Sequence, residues 1–190
     1  TDPALLKMLA MGRRDLSLGA SLAELHIVPV AISYEYDPCD RMKAEELYQV
    51  ATTGSFEKTD DSDIQSIVTG MIGFKGDVHV AFGTELELSG DDPEQIAAAI
   101  DSQVINNYVL RDSNFIAVEH LAQRGVVQPG SEGAGNAVIT KGIAAISDEK
   151  RRAFDQRLAA VDPNWQEQFL YSYANPVLNR YRPGEPSATA

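Results

Sequence analysis

This chain of 190 residues is short of cysteine, of cationic residues and of long apolar runs. No uninterrupted apolar span reaches the ~20 residues that a membrane-crossing helix needs, so no such helix is expected. The single cysteine, Cys39, permits no internal disulfide, and no leader with charged, apolar and small-residue regions is in view. An intracellular setting is therefore expected, either cytoplasmic or peripheral on the cytoplasmic membrane face. Lys and Arg number 16 against 28 Asp and Glu, and the net charge of −12 repels nucleic acid and anionic headgroups over most of the surface. No nucleic-acid partner is expected, and a phosphate-bearing ligand would need a local basic patch. The 3 histidines stand far apart with no cysteine partners, so no metal site is expected.

What is present suffices for a core. With 44% hydrophobic residues the chain reads as one domain, or one domain with a helical extension. Asp2, Pro3 and Gly12 bracket a short helix over 4–11, and a further helical turn is expected over 18–24. Asp40 is expected to cap a helix over 41–51 that stops near Gly54; an exposed loop over 55–63 then precedes a helix over 64–72. Alternation over 75–82 predicts a half-buried strand with Val78, Val80 and Phe82 on one side, continuing at an edge over 85–88. Asp92 and Pro93 open a helix with Ile96, Ala99, Ile100 and Val104 down one side, and Ser113 is expected to cap another over 114–124. Gly, Pro, Ser and Glu then mark a linker, followed by helical patterns over 137–146, 148–161 and 163–174, with Pro176 ending or kinking the last. The fold class expected is α/β: part of a mixed sheet flanked by helices, with a helical carboxyl-terminal extension. Its divisions would be a domain over 1–124, a linker over 125–136, the extension over 137–182 and a disordered tail over 183–190.

The most informative stretch is Ile27-Val-Pro-Val-Ala-Ile-Ser-Tyr-Glu-Tyr-Asp-Pro-Cys-Asp40. It reads as a buried strand beginning near Ile27, with Pro29 among its first residues because proline donates nothing to a ladder. Tyr34, Glu35, Tyr36 and Asp37 then emerge at its carboxyl end, where open α/β sheets place ligands. With Asp40 and Lys43 they can line an acceptor or acyl-carrier pocket, the aromatics as walls and the charges fixing polar groups. The plainer alternative is a strand-to-helix connection whose tyrosines pack at the sheet end.

This segment resembles the hydrophobic Val-Pro-Val-type block of the glycerolipid acyltransferases, the 1-acyl-glycerol-3-phosphate acyltransferase-like family, in what looks like a bacterial branch. The resemblance extends through Met42-Lys-Ala-Glu-Glu-Leu47 and Gly70-Met-Ile-Gly-Phe-Lys-Gly-Asp-Val-His-Val80, about the first half of the chain. It implies transfer of a fatty acyl group from a coenzyme A or carrier-protein thioester to a glycerolipid-like hydroxyl. No cofactor is implied beyond that donor, and a lipid or lysophospholipid is the acceptor. The family's catalytic signature, His, four residues, Asp, is missing: His26 is followed five positions on by Ala31, His79 by Thr84 and His120 by Gly125. No Glu-Gly-Thr-Arg-like phosphate block is present either. These residues are therefore expected to be the carboxyl-terminal portion of a longer enzyme, inactive alone, whose catalytic base lies elsewhere and whose partner is the missing amino-terminal half. The substrate-binding candidates are then Arg13, Arg14, Pro29, Tyr34, Glu35, Tyr36, Asp37 and Lys43. A non-catalytic α/β binding or assembly module is the alternative.

Other features are read more plainly. Cys39 needs a lowered pKa to act as a nucleophile, and an inert small residue explains it better. The glycine-rich stretch over 129–135 lacks the Lys-Ser/Thr ending of a nucleotide loop and reads as flexible. His79 should face solvent. Arg13 and Arg14 can hold an acceptor or pantetheine phosphate, or simply close a solvated helix end. Lys150, Arg151 and Arg152 with Trp165, Phe169, Tyr171, Tyr173 and Tyr181 suggest either a peripheral membrane contact or packing against the missing half.

Overall fold

A computed structural model describes residues 1–57, 60–88, 90–127 and 134–181. Among the described residues 61% are helical and one small antiparallel sheet is present, so the expected α/β character holds in coarse form. It divides into two compact units, each made of two segments: residues 1–33 with 79–109, and residues 34–78 with 110–190. The linear division expected from composition runs along different lines. The glycine-rich stretch over 129–133 and the tail beyond Tyr181 lie outside the described residues.

In the first unit, α1 (Pro3–Ala10) begins as its sequence directs: Asp2 accepts from the Ala4 N–H at 2.8 Å and Pro3 occupies the first turn. The same device opens α5 (Pro93–Asn107), where Asp92 accepts from the Glu94 N–H at 3.0 Å. Leu6 of α1, Leu22 of α2 (Leu18–Ala23) and Ile96 and Ala97 of α5 bury one another to form this unit's core.

The sheet pairs β1 (Val30–Tyr34) with β2 (Val78–Phe82). The first strand starts three residues later than expected, because Pro29 has no N–H and contributes only its carbonyl, which accepts from Gly83 at 2.8 Å. That bond sets Val30 opposite Phe82 and Ile32 opposite Val80. One side of β1 is buried through Ala31 and Ser33, and the Ser33 hydroxyl accepts from the Val109 N–H at 2.8 Å. The other side is uncovered: Val30, Ile32, Val80 and Phe82 are 40, 47, 47 and 74% exposed. The expectation of a half-buried second strand is thus corrected, since no described layer packs on its apolar residues. His79 is exposed, as its alternation with valines suggests. Residues 85–88 form no strand; Leu86 alone donates to the Ile27 carbonyl at 2.9 Å and is buried.

The second unit holds α3 (Asp40–Thr53), α4 (Asp60–Ile72), α6 (Asp112–Gln123), α7 (Ala134–Ala144), α8 (Asp148–Ala159) and α9 (Gln166–Arg180). Gly54, at φ 83°, ends α3 in the left-handed conformation that glycine adopts freely. Ile116, Val118 and Leu121 of α6 meet Phe154 of α8 and Phe169, Tyr173 and Val177 of α9 in the core. Tyr173 packs edge-on against Phe154 at a centroid distance of 5.3 Å.

Several helix boundaries depart from expectation. Cys39, not Asp40, precedes α3, because the Asp40 carboxylate is the first helical residue's and is taken by distant partners. α4 starts at Asp60 rather than after Asp63. Ser113 lies inside α6, while Asn114 at the third position caps backward by accepting from the Arg111 N–H at 2.7 Å. α9 runs through Pro176 to Arg180. A proline inside a helix costs about 3 kcal/mol, and burial of Ala174 and Val177 on either side offsets it.

Candidate functional site

The residues after β1 enter the second unit and meet α8 and α9. Glu35 and Tyr36 are buried, 6 and 8% exposed, so the strand's carboxyl end is closed here. The Glu35 carboxylate accepts from Lys150 and, at 3.1 Å, from the Asp77 N–H. The ladder continues alongside, with the Glu35 N–H bonded to the Asp77 carbonyl and the Tyr36 N–H to that of Lys75, both at 2.9 Å. Gly76 makes this turn with φ 61°, and a Cβ there would run into the Glu35 carboxylate. Burial opposes ionisation of Glu35, but the bonds from Lys150 and the Asp77 amide, with the charges of Lys150 and Arg111, outweigh it and hold its pKa below the usual glutamate value.

A second cluster lies one turn further along. Asp40, 1% exposed, accepts the Tyr173 hydroxyl at 2.6 Å and Arg157 Nε at 2.5 Å on the same oxygen, Oδ2. Arg157 also donates to the Asp37 carbonyl at 2.8 Å and lies over the Tyr36 ring, 5.5 Å from its centroid. The Asp37 N–H donates to the Tyr173 oxygen at 2.9 Å, and Asn114 Nδ2 donates to the Tyr173 carbonyl at 2.8 Å. Burial, together with the charge of Asp40, pushes the Tyr173 phenol far above its ordinary pKa, so it remains a donor. The Asp37 side chain accepts from the Cys39 N–H at 2.8 Å and from Lys43 at 2.5 Å.

Five of the expected site residues, Tyr34, Glu35, Tyr36, Asp37 and Lys43, therefore lie in this unit, with Tyr34 half-buried at the strand end. Their charged members are committed to internal partners. The group acts as a polar clamp in which each buried charge has a counter-charge. Arg13, Arg14 and Pro29 belong to the first unit. Arg13 bonds Glu24 and Asp15, the latter at 3.2 Å, Arg14 is exposed, and Pro29 is buried.

Sequence reasoning missed Lys150, Arg157 and Tyr173, which complete the clamp. Each lies more than 100 residues from its carboxylate partner, so no local spacing announces the pairing. Of the residues expected at a membrane contact or a packing surface, Phe169 and Tyr173 are core residues, Trp165, Tyr171 and Tyr181 pack against that core, and Arg151 bonds Glu119.

Beside the clamp, Cys39, Met42, Lys43, Glu46, Phe56 and Ser66 line a cleft of about 170 Å³. That is below the ~300 Å³ of ordinary ligand pockets. Burial and the Asp37 carboxylate push the Cys39 thiol above its usual pKa, which argues against a nucleophile. Among the described residues no cluster of His, Cys, Asp and Glu has metal-site geometry, and no helix is long and apolar enough to cross a membrane. No protein-family model, curated protein or solved structure matches this chain.

Proposed function

We propose that this chain is the closing portion of an α/β lipid acyltransferase, supplying strands and helices around a reactive centre encoded outside these residues. In the whole enzyme an imidazole takes the proton of a glycerolipid-like hydroxyl. The oxygen attacks the thioester carbonyl of a coenzyme A or carrier-protein donor, the C–S bond breaks and the thiol leaves protonated. Acceptor contacts would come from Tyr34 and Lys43 of the second unit. A cytoplasmic or peripheral location suits such an acceptor.

The observation that carries this reading is the bare face of the sheet. Val30, Ile32, Val80 and Phe82 form an apolar surface that a self-sufficient α/β domain covers with a helical layer. The internal commitment of Glu35, Asp37 and Asp40 favours a second reading, a non-catalytic assembly module with the same uncovered face. The gene separates them. If its reading frame continues upstream into a His, four residues, Asp motif and a Glu-Gly-Arg-like block, the enzyme reading stands; a stop codon and a new start at that boundary would leave only the module.

A further inference from the structure

Within the second unit, α4 is packed inside out. The side it turns toward the start of α3 carries small residues. The Ser66 carbonyl lies 3.4 Å from Cys39 Sγ, a Cβ on Gly70 would touch the same sulfur at 3.7 Å, and Gly73 abuts Pro38. Its bulky residues face away. Ile64, Ile67, Val68, Met71 and Ile72 recur at helical spacing and are 64, 60, 46, 75 and 82% exposed. Natural surfaces rarely leave so continuous an apolar stripe uncovered unless something docks on it.

The flanking charges select the occupant. Helices that lie in a bilayer interface border their apolar stripe with Lys and Arg, whereas this one carries Asp61 and Asp63 at its start in a chain of net charge −12. The stripe is instead complementary to itself. Its midpoint falls at Val68, so a second α4 laid antiparallel across a two-fold axis there sets Ile64 against Ile72 of the other copy. An antiparallel pair also sets the first turn of one α4, with Asp61, against the last turn of the other, on whose Met71 carbonyl the Lys75 ammonium sits. Lys75 spends two donors on the Met71 and Gly73 carbonyls, at 3.2 and 3.1 Å, which leaves the third proton of its ammonium for that carboxylate. Opposed helix dipoles add to the match.

We propose that a second copy of this chain covers α4 in an antiparallel, two-fold pair. A helix of 13 residues is about 20 Å long, so the contact is smaller than a standard interface and the pair is weak and concentration-dependent. The inference rests on α4 alone and is independent of any acyltransferase activity.

Sedimentation equilibrium of the 190-residue chain, from about 1 to about 500 µM, tests it. The apparent mass should rise from 20.6 kDa toward twice that value. Met71→Glu, at an exposed position, should leave the circular dichroism unchanged and weaken association at least about tenfold. Asp61→Lys should weaken it as well, and adding Lys75→Asp should restore it. Val68→Cys in a Cys39→Ser background should form a disulfide-linked dimer under mild oxidation, because the axis brings the two thiols together. A monomer at every concentration, or a dimer indifferent to Met71→Glu with no Val68→Cys cross-link, would overturn the proposal.

Discussion

At the scale of single residues, the clamp after β1 is where sequence and structure meet most tightly. Asp40 is buried with Arg157 and Tyr173 on one oxygen, so its removal strands a guanidinium that is itself largely buried. Asp40→Ala should cost about 3–5 kcal/mol, the range for breaking a buried ion pair from one side, in a urea titration. A loss below about 1 kcal/mol would place the pair among weak surface bridges. Glu35 gives a pH dependence. Its folded pKa lies below the ordinary value of 4.5, so its contribution is complete above that value and is lost as pH falls through the folded pKa. Glu35→Gln should therefore flatten the acid limb of stability against pH below about 4.5, and an unchanged slope would show that Lys150 and the Asp77 amide do not favour its ionised form.

At the scale of elements, legibility followed the range of the interactions involved. Helices whose ends are set by neighbours in sequence were readable: Asp2-Pro3 and Asp92-Pro93 open α1 and α5, and Gly54 closes α3. Elements settled by tertiary contacts were not. Pro176 suggests a helix end, yet α9 continues because its flanking residues are buried against α6 and α8. Asp40 looks like a cap, yet Arg157 and Tyr173 claim its carboxylate from far along the chain. The alternation over 75–82 predicted a strand, found over 78–82, and which residues share a side, but a period of two does not say which side is covered. The uncovered side makes its own prediction. Phe82→Lys should change the stability of this chain by no more than about 0.5 kcal/mol, as at other surface positions. A thermal or urea shift equivalent to more than about 1 kcal/mol would mean that Phe82 packs after all.

At the scale of the whole molecule, each unit leaves an apolar surface uncovered among the described residues: the sheet face in the first and the α4 stripe in the second. The candidate site was legible as a cluster, since Tyr34 to Asp37 stand together in sequence, but its closure by α8 and α9 was not. Internal pairing turns those carboxylates from prospective ligands of a substrate into supports for the strand end. In the longer enzyme that this reading requires, Pro29→Ala should lower activity more than His79→Ala, because Pro29 is buried at the start of the strand and His79 faces solvent. Equal losses would remove the segment from the neighbourhood of the chemistry.

The most direct test is acyl transfer from a long-chain acyl thioester to a lysophospholipid hydroxyl. It should be measured for the 190-residue chain alone and for the product of the full reading frame. The account predicts turnover by the longer protein and none by this chain. Turnover by these residues alone, or none by the longer protein with its reactive histidine in place, would contradict it.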